Sequence, residues 1–305
     1  MPRVSDPPYA IHSSMYFAPL LAVVASTTLT VGLYFMKRQA ERLPSLHGGW
    51  LLTAWWAFMR DPLWVFGVAL QVVGYGLYLT ALRYAPLSVV HTALTGGIAL
   101  FVVLAVVGLG ERVRPIEWLG VCGVVLGLIV LGASLEGDAP TGTAAFGTLT
   151  FAAVTALVAV VALAIDPAPG RAIGLSVATG LMLGLASVFA KALAGADSLA
   201  AALCSRAFVL TLGTNIVGFV LMQGALQEGR GVVAVPLFST LSNVVPIIGG
   251  ILLYGEWVPR HGTAAVLRGL AFVLAIGGAA LLAGFGEPQV PSKTVTRQLE
   301  EAKSR

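Results

Sequence analysis

Apolar residues fall along this chain in long blocks, broken by short clusters of Gly, Pro, Arg and Asp. The blocks follow neither the i, i+3, i+4, i+7 stripe of an amphipathic helix nor the alternation of a half-buried strand. Nine reach spanning length, at 15–36, 62–82, 86–109, 115–135, 144–165, 172–194, 207–227, 231–253 and 263–285. A hydrocarbon core about 30 Å thick is crossed by about 20 residues of helix. The pattern therefore predicts an all-α integral membrane protein with about nine transmembrane helices. A tenth apolar piece, "GGWLLTAWWAFM" at 48–59, is too short to span and holds Trp50, Trp55 and Trp56. Tryptophans gather at the headgroup level, which predicts an interfacial segment, with a tenth span as the competing reading.

Composition removes the soluble alternative. Hydrophobic residues are 57% of the chain and charged residues 10%, against about 25% charged in soluble globular proteins, so a soluble fold would have no side to turn to water. The excess of positive charge (pI about 9.3) reads as loop charge, because no basic stripe with interleaved aromatics points to nucleic acid. With nine spans, twelve of the 18 Lys and Arg residues lie on the side of the C-terminal tail, among them Lys37, Arg38, Arg112, Arg114 and Arg230. The other six include Arg83, Lys191 and Arg260; a tenth span would leave ten against eight. The positive-inside rule then places the C-terminus in the cytoplasm and the N-terminus outside, in the cell membrane. Cys122 and Cys204 lie at or near apolar blocks and read as small packing residues rather than a disulfide or metal site. The polar stretch 1–14 lacks the apolar core and cleavage site of a signal peptide, and 286–305 is a polar tail of mixed charge.

The blocks also repeat. Gly74, Ala81, Leu82 and Val89 recur 144 residues on as Gly218, Ala225, Leu226 and Val233, and Gly110-Glu111 recurs 145 residues on as Gly255-Glu256. Lys37 stands opposite Lys191 at an offset of 154, so the first copy carries about ten extra residues, the size of the Trp-rich piece. The chain thus divides into a first repeat of four helices at 15–135, a linker helix within 136–171, and a second repeat of four helices at 172–285. Equivalent helices are five apart, an odd number, so the two copies cross the membrane in opposite senses. Such an inverted repeat is the signature of a secondary transporter, which binds its substrate near the midplane between the repeats.

The repeat resembles the drug/metabolite transporter (DMT) superfamily. The resemblance lies in the Gly-Tyr-x-Leu-x3-Ala-Leu of Gly74, Tyr75, Leu77, Ala81 and Leu82 and in the long helix ending at Glu111. It extends to the glycine-rich helix with Gly120, Gly123, Gly127 and Gly132, and to Ala225-Leu226, Pro236 and Gly255-Glu256 in the second half. The nine-span layout, "LAVVASTTLTVGLYFMKRQA" with its basic pair and "VVAVPLFSTLSNVVPIIGGILLYGEW" resemble the NIPA-type magnesium transporter branch more than the ten-span EamA branch. The resemblance implies alternating-access transport of a small solute or cation. The NIPA-like branch implies Mg²⁺ or another divalent cation, the EamA-like branch a metabolite or drug. In the NIPA-type branch a carboxylate follows the glycine of the second helix. Here that position is Tyr75, a departure that weakens the implication of a divalent cation.

No Asp or Glu lies in the middle of any block. A charge there costs at least about 2.5–3.5 kcal/mol and marks function, so a proton-coupled carboxylate at depth is missing, as are the carboxylates that usually hold Mg²⁺. The candidates for substrate binding are neutral: His91, Thr92 and Thr95 on the third helix, Asn215 and Gln223 on the seventh, and Ser239, Thr240 and Asn243 on the eighth. The eighth helix carries Pro236 and Pro246, each of which removes a backbone donor. The freed carbonyls either line a cavity or belong to a kinked helix whose Ser and Thr bond their own preceding turn. His91 reads as a proton relay or a packing residue. Lys37 and Lys191 read as snorkelling to the headgroups, with a gating role as the competing reading. Glu111 and Glu256 read as gating residues paired with Arg112 or Arg260, or else as solvated loop charges. Nothing calls for a cofactor, and no nucleophile with a base, metal-ligand spacing or paired carboxylates at depth supports an enzyme. A non-transporting membrane assembly subunit is the rival of another class; it would not need the repeat.

Overall fold

The computed structural model describes residues 8–43, 51–84, 87–133, 147–165, 171–194, 199–254 and 263–285. Eleven helices occupy these residues: α1 (Pro8–Ala40), α2 (Leu51–Arg60), α3 (Pro62–Tyr84), α4 (Leu87–Gly108), α5 (Pro115–Ala133), α6 (Thr148–Ile165), α7 (Arg171–Ala194), α8 (Leu199–Leu203), α9 (Arg206–Glu228), α10 (Gly231–Tyr254) and α11 (Thr263–Phe285). All but the short α2 and α8 coincide with the apolar blocks. Five of them, α1, α7, α9, α10 and α11, hold a stretch long and apolar enough to cross a membrane, and α3 to α6 hold shorter apolar stretches. The outward faces are apolar as well: Val107, Leu149, Val209, Leu252, Val266 and Val273 are between 67 and 80% exposed. So much exposed apolar surface marks a partner phase rather than water, and here that phase is lipid. The chain is a multi-pass membrane protein.

Small residues set how closely the helices approach, as is usual where lipid supplies no hydrophobic drive between them. A Cβ on Gly74 would meet Leu29 at 2.7 Å where α3 crosses α1, and one on Gly218 would meet Leu183 at 2.7 Å where α9 crosses α7. Gly218 follows Gly74 by 144 residues and Leu183 follows Leu29 by 154, so both offsets of the repeat meet in one contact. Likewise Gly97 of α4 lies against Ser26 and Thr30 of α1, while Leu241 of α10 lies against Gly180 and Gly184 of α7. These are again positions 144 and 154 apart, with the small residue moved to the other helix.

Between the halves, Gly120 of α5 lies against Leu282 and Gly278 of α11 and Gly127 against Ala275 and Ala271, so α5 and α11 run antiparallel. The C-terminal part of α4 meets the N-terminus of α10, with Phe101 against Gly231. The main core, which includes Phe101, Val102, Val124, Leu226, Val232 and Leu282, straddles this junction.

Both flanks of α2 lie at one end of the bundle, by the end of α9. Gln227 Nε2 donates to the Ala40 carbonyl (3.2 Å) and Trp64 Nε1 to Gln223 Oε1 (3.1 Å). Trp55 turns inward and stacks on Phe219 at 6.2 Å, whereas Trp56 is exposed, with the Arg60 guanidinium 4.9 Å above its ring.

Candidate functional site

A cavity of about 390 Å³ lies between the halves, walled by α1, α3, α4, α7, α9 and α10. Its wall is built from equivalent positions: Leu29 and Leu183 are 154 residues apart, and Gln71 and Asn215, Tyr75 and Phe219, and Leu94 and Phe238 are each 144 apart. Ser26, Thr30 and Ser239 complete its polar lining, and no described lining residue is charged. Several polar side chains are tied to helix carbonyls. Thr30 Oγ1 donates to Gly97 (3.1 Å), Gln71 Nε2 to Leu29 (3.1 Å) and Asn215 Nδ2 to Thr211 (2.9 Å).

Of the residues singled out from sequence, Asn215 and Ser239 stand in this wall. Thr95 is buried on α4 behind it, where Leu94, Gly97 and Ile98 provide the surface. Gln223 lies one turn below Phe219, wholly buried, with Oε1 on Trp64 and Nε2 lacking a partner among the described residues. Thr240 donates to the Pro236 carbonyl (2.8 Å), and Ser242 and Asn243 donate to that of Ser239 (2.9 and 2.7 Å). α10 therefore runs on through both prolines with Thr240, Ser242 and Asn243 satisfied on their own preceding turns, as in the second of the two arrangements expected of it. His91 and Thr92 belong to α4, but their side chains, like that of Lys191 and all of Glu256, lie outside the described residues. Sequence reasoning passed over Ser26, Thr30 and Gln71, and noted Tyr75 only as a departure from the NIPA-type pattern. For Gln71 and Tyr75 as wall residues the signal was present, since each stands one repeat offset before a residue of the seventh predicted helix.

Charged residues join the two halves where α4, α5, α9 and α10 meet. Gly110 ends α4 with φ +71°, in the left-handed region that glycine enters without penalty. The turn aims Glu111 at α10, where its carboxylate accepts from the N–H groups of Gly231 (2.7 Å) and Val232 (2.9 Å). These are otherwise unpaired donors of a helix N-terminus, where negative charge is stabilised. Lys37 does the converse at the end of α9: its Nζ donates to the carbonyls of Leu226 (2.8 Å) and Gly229 (2.5 Å) and pairs with Glu41 (2.7 Å). Between the two helices, Arg230 forms a two-pronged pair with Glu117 (2.6 and 3.2 Å), which also accepts from the Arg114 N–H (2.8 Å). Three charged residues of the first half thus hold a single turn of the second.

Three expectations are corrected here. Lys37 does not snorkel; it is fully buried, because helix-end carbonyls within reach replace the headgroups. Glu111 is neither paired with Arg112 nor a free loop charge, since two backbone N–H groups take its oxygens. Cys122 and Cys204 are free and exposed rather than packed. Among the described residues, no three of His, Cys, Asp and Glu gather where they would hold a metal ion.

A multi-pass helical membrane protein with a cavity between two similarly packed halves is the class these features define. In sequence the chain is similar to the probable magnesium transporter NIPA9 of Arabidopsis thaliana, 25% identical over 287 residues that cover 88% of this chain and 82% of that protein. No family model and no solved structure matches the chain.

Proposed function

We propose that this chain is a secondary transporter of the drug/metabolite type, an inverted repeat that moves a small solute or cation by alternating access, with a divalent cation such as Mg²⁺ as its cargo. The observation that carries the reading is the cavity walled by equivalent residues of both halves. An assembly subunit has no use for such a space. The antiparallel course of α5 on α11 supports the inverted arrangement. The choice of Mg²⁺ rests on the similarity to the plant protein. In the orientation favoured by the loop charges, the contacts of Lys37, Glu111 and Glu117 with the second half are cytoplasmic.

A metabolite or drug is the second reading. Leu94, Phe101, Leu183, Phe219 and Phe238 make most of the wall apolar, and cavities of about 300–1,000 Å³ with such walls hold organic ligands.

Flux into proteoliposomes carrying a Mg²⁺-sensitive dye, run beside uptake of radiolabelled amines and amino acids, separates these readings. The expected result is gradient-driven Mg²⁺ flux. In a background with Cys122 and Cys204 replaced by Ser, a cleavable cross-linker between Ala40→Cys and Gln227→Cys should stop flux, and cleavage should restore it. Organic uptake without Mg²⁺ flux selects the second reading, and a cross-linked protein that transports at full rate rules out alternating access.

A further inference from the structure

Three polar side chains of the wall each give one hydrogen to the backbone and leave an oxygen free to accept, and each of the two amides keeps its second N–H. Gln71 gives an amide hydrogen to Leu29 and Asn215 to Thr211, and Thr30 gives its hydroxyl hydrogen to Gly97. Neither amide oxygen accepts from any other described residue. An amide pinned through its nitrogen holds its carbonyl oxygen in place, and that oxygen only accepts. Because Gln71 and Asn215 occupy equivalent positions of the two halves, their oxygens come from different halves of the wall.

Few ligands suit two fixed acceptors in an uncharged cavity. An anion finds no cationic partner among the described lining residues. A bare Mg²⁺ is poorly served too, because it dehydrates reluctantly and then usually takes carboxylates. With its shell intact, the same ion presents only outward-pointing O–H donors. Six waters at about 30 Å³ each fill about 180 Å³, which fits a cavity of about 390 Å³ without stripping the shell.

We propose that Gln71 and Asn215 are the specificity-determining pair of this cavity, and that their amide oxygens read a divalent cation through its water shell. The inference rests on the transport reading for why a ligand enters the cavity, but not for how it is bound. An organic ammonium carries comparable N–H donors, so the test has an arm for it.

Full-length protein in lipid nanodiscs is titrated with hexaamminecobalt(III), whose ammine ligands do not exchange and offer only N–H donors, with MgCl₂ and with benzylammonium. Hexaamminecobalt(III) and Mg²⁺ should compete for one site. Gln71→Leu and Asn215→Leu should each weaken both by about tenfold without lowering the melting temperature. Gln71→Asn and Asn215→Gln, which keep the oxygens, should retain measurable binding even if a leucine variant fails to fold. Folded leucine variants with wild-type affinity would overturn the pair. Benzylammonium binding in the absence of hexaamminecobalt(III) binding would overturn recognition of the shell. Pair-dependent binding without any flux would remove the transport reading and leave this inference standing, whereas flux and affinity untouched by both leucine variants would do the reverse.

Discussion

Single residues carry the charged contacts between the halves, and their energetics are asymmetric. Glu117 is fully buried and Arg230 is 11% exposed. Removing one partner of such a pair leaves a charge without compensation and costs about 3–5 kcal/mol, whereas replacing both by apolar groups of similar volume is often neutral or stabilising. Glu117→Ala should therefore lower unfolding stability by about that amount, and Glu117→Leu with Arg230→Met should recover most of it, as read by denaturant unfolding in detergent. A double variant as unstable as the single one would show that the pair contributes more than mutual neutralisation. None of this was legible in the sequence. Lys37 stands at the end of an apolar block, where snorkelling is the ordinary outcome, and the carbonyls that bury it belong to residues 189 and 192 positions later. Glu117 carried no reading of its own, because its partner Arg230 stands 113 positions later. Gln71 was legible, but only by applying the repeat to polar residues as well as to glycines.

At the level of elements, close approach decides which glycines matter. A Cβ at Gly127 would collide with the backbone nitrogen of Ala275 on α11, whereas one at Gly277 would meet nothing within 4 Å. Gly127→Ala should thus lower the melting temperature by forcing α5 and α11 apart, and Gly277→Ala should leave it unchanged, in differential scanning fluorimetry. The helices themselves were readable because each apolar block is long enough to be a helix and nothing else in lipid. The course of α10 was less so, since two prolines admit both a broken helix and a continuous one, and the choice fell to Thr240, Ser242 and Asn243 bonding back one turn. α2 divided in the same way. Its tryptophans suggested the headgroup level, and Trp56 is exposed, but Trp55 packs inward against Phe219 and Trp64.

For the whole molecule, the distribution of loop charge argues for one orientation. A green fluorescent protein fused after Arg305 should glow in the cytoplasm, and an alkaline phosphatase at the same position should stay inactive; an active phosphatase would reverse the orientation and with it the side of the Lys37, Glu111 and Glu117 contacts. The division into two like halves could be read because glycine and alanine contacts recur at the same offsets, constrained by backbone approach rather than by substrate. The contents of the cavity could not, because its wall is assembled from six helices and each contributes only one to four residues to it.

The turn between α9 and α10, gripped by Lys37, Glu111 and Glu117, has a consequence for the order of synthesis. These three residues leave the ribosome more than a hundred positions before Leu226, Gly229 and Arg230. Until α9 and α10 enter the membrane, the first half holds three charged groups without their eventual partners. It should be a substrate for membrane quality control rather than an independent unit. If the gene is cut within the segment 134–146, the N-terminal fragment alone should be degraded, and co-expression with the C-terminal fragment should rescue it, as read by fragment abundance in a pulse–chase. Arg230→Ala in the C-terminal fragment should reduce that rescue, so the assembly of the halves would be policed by the contacts that join them.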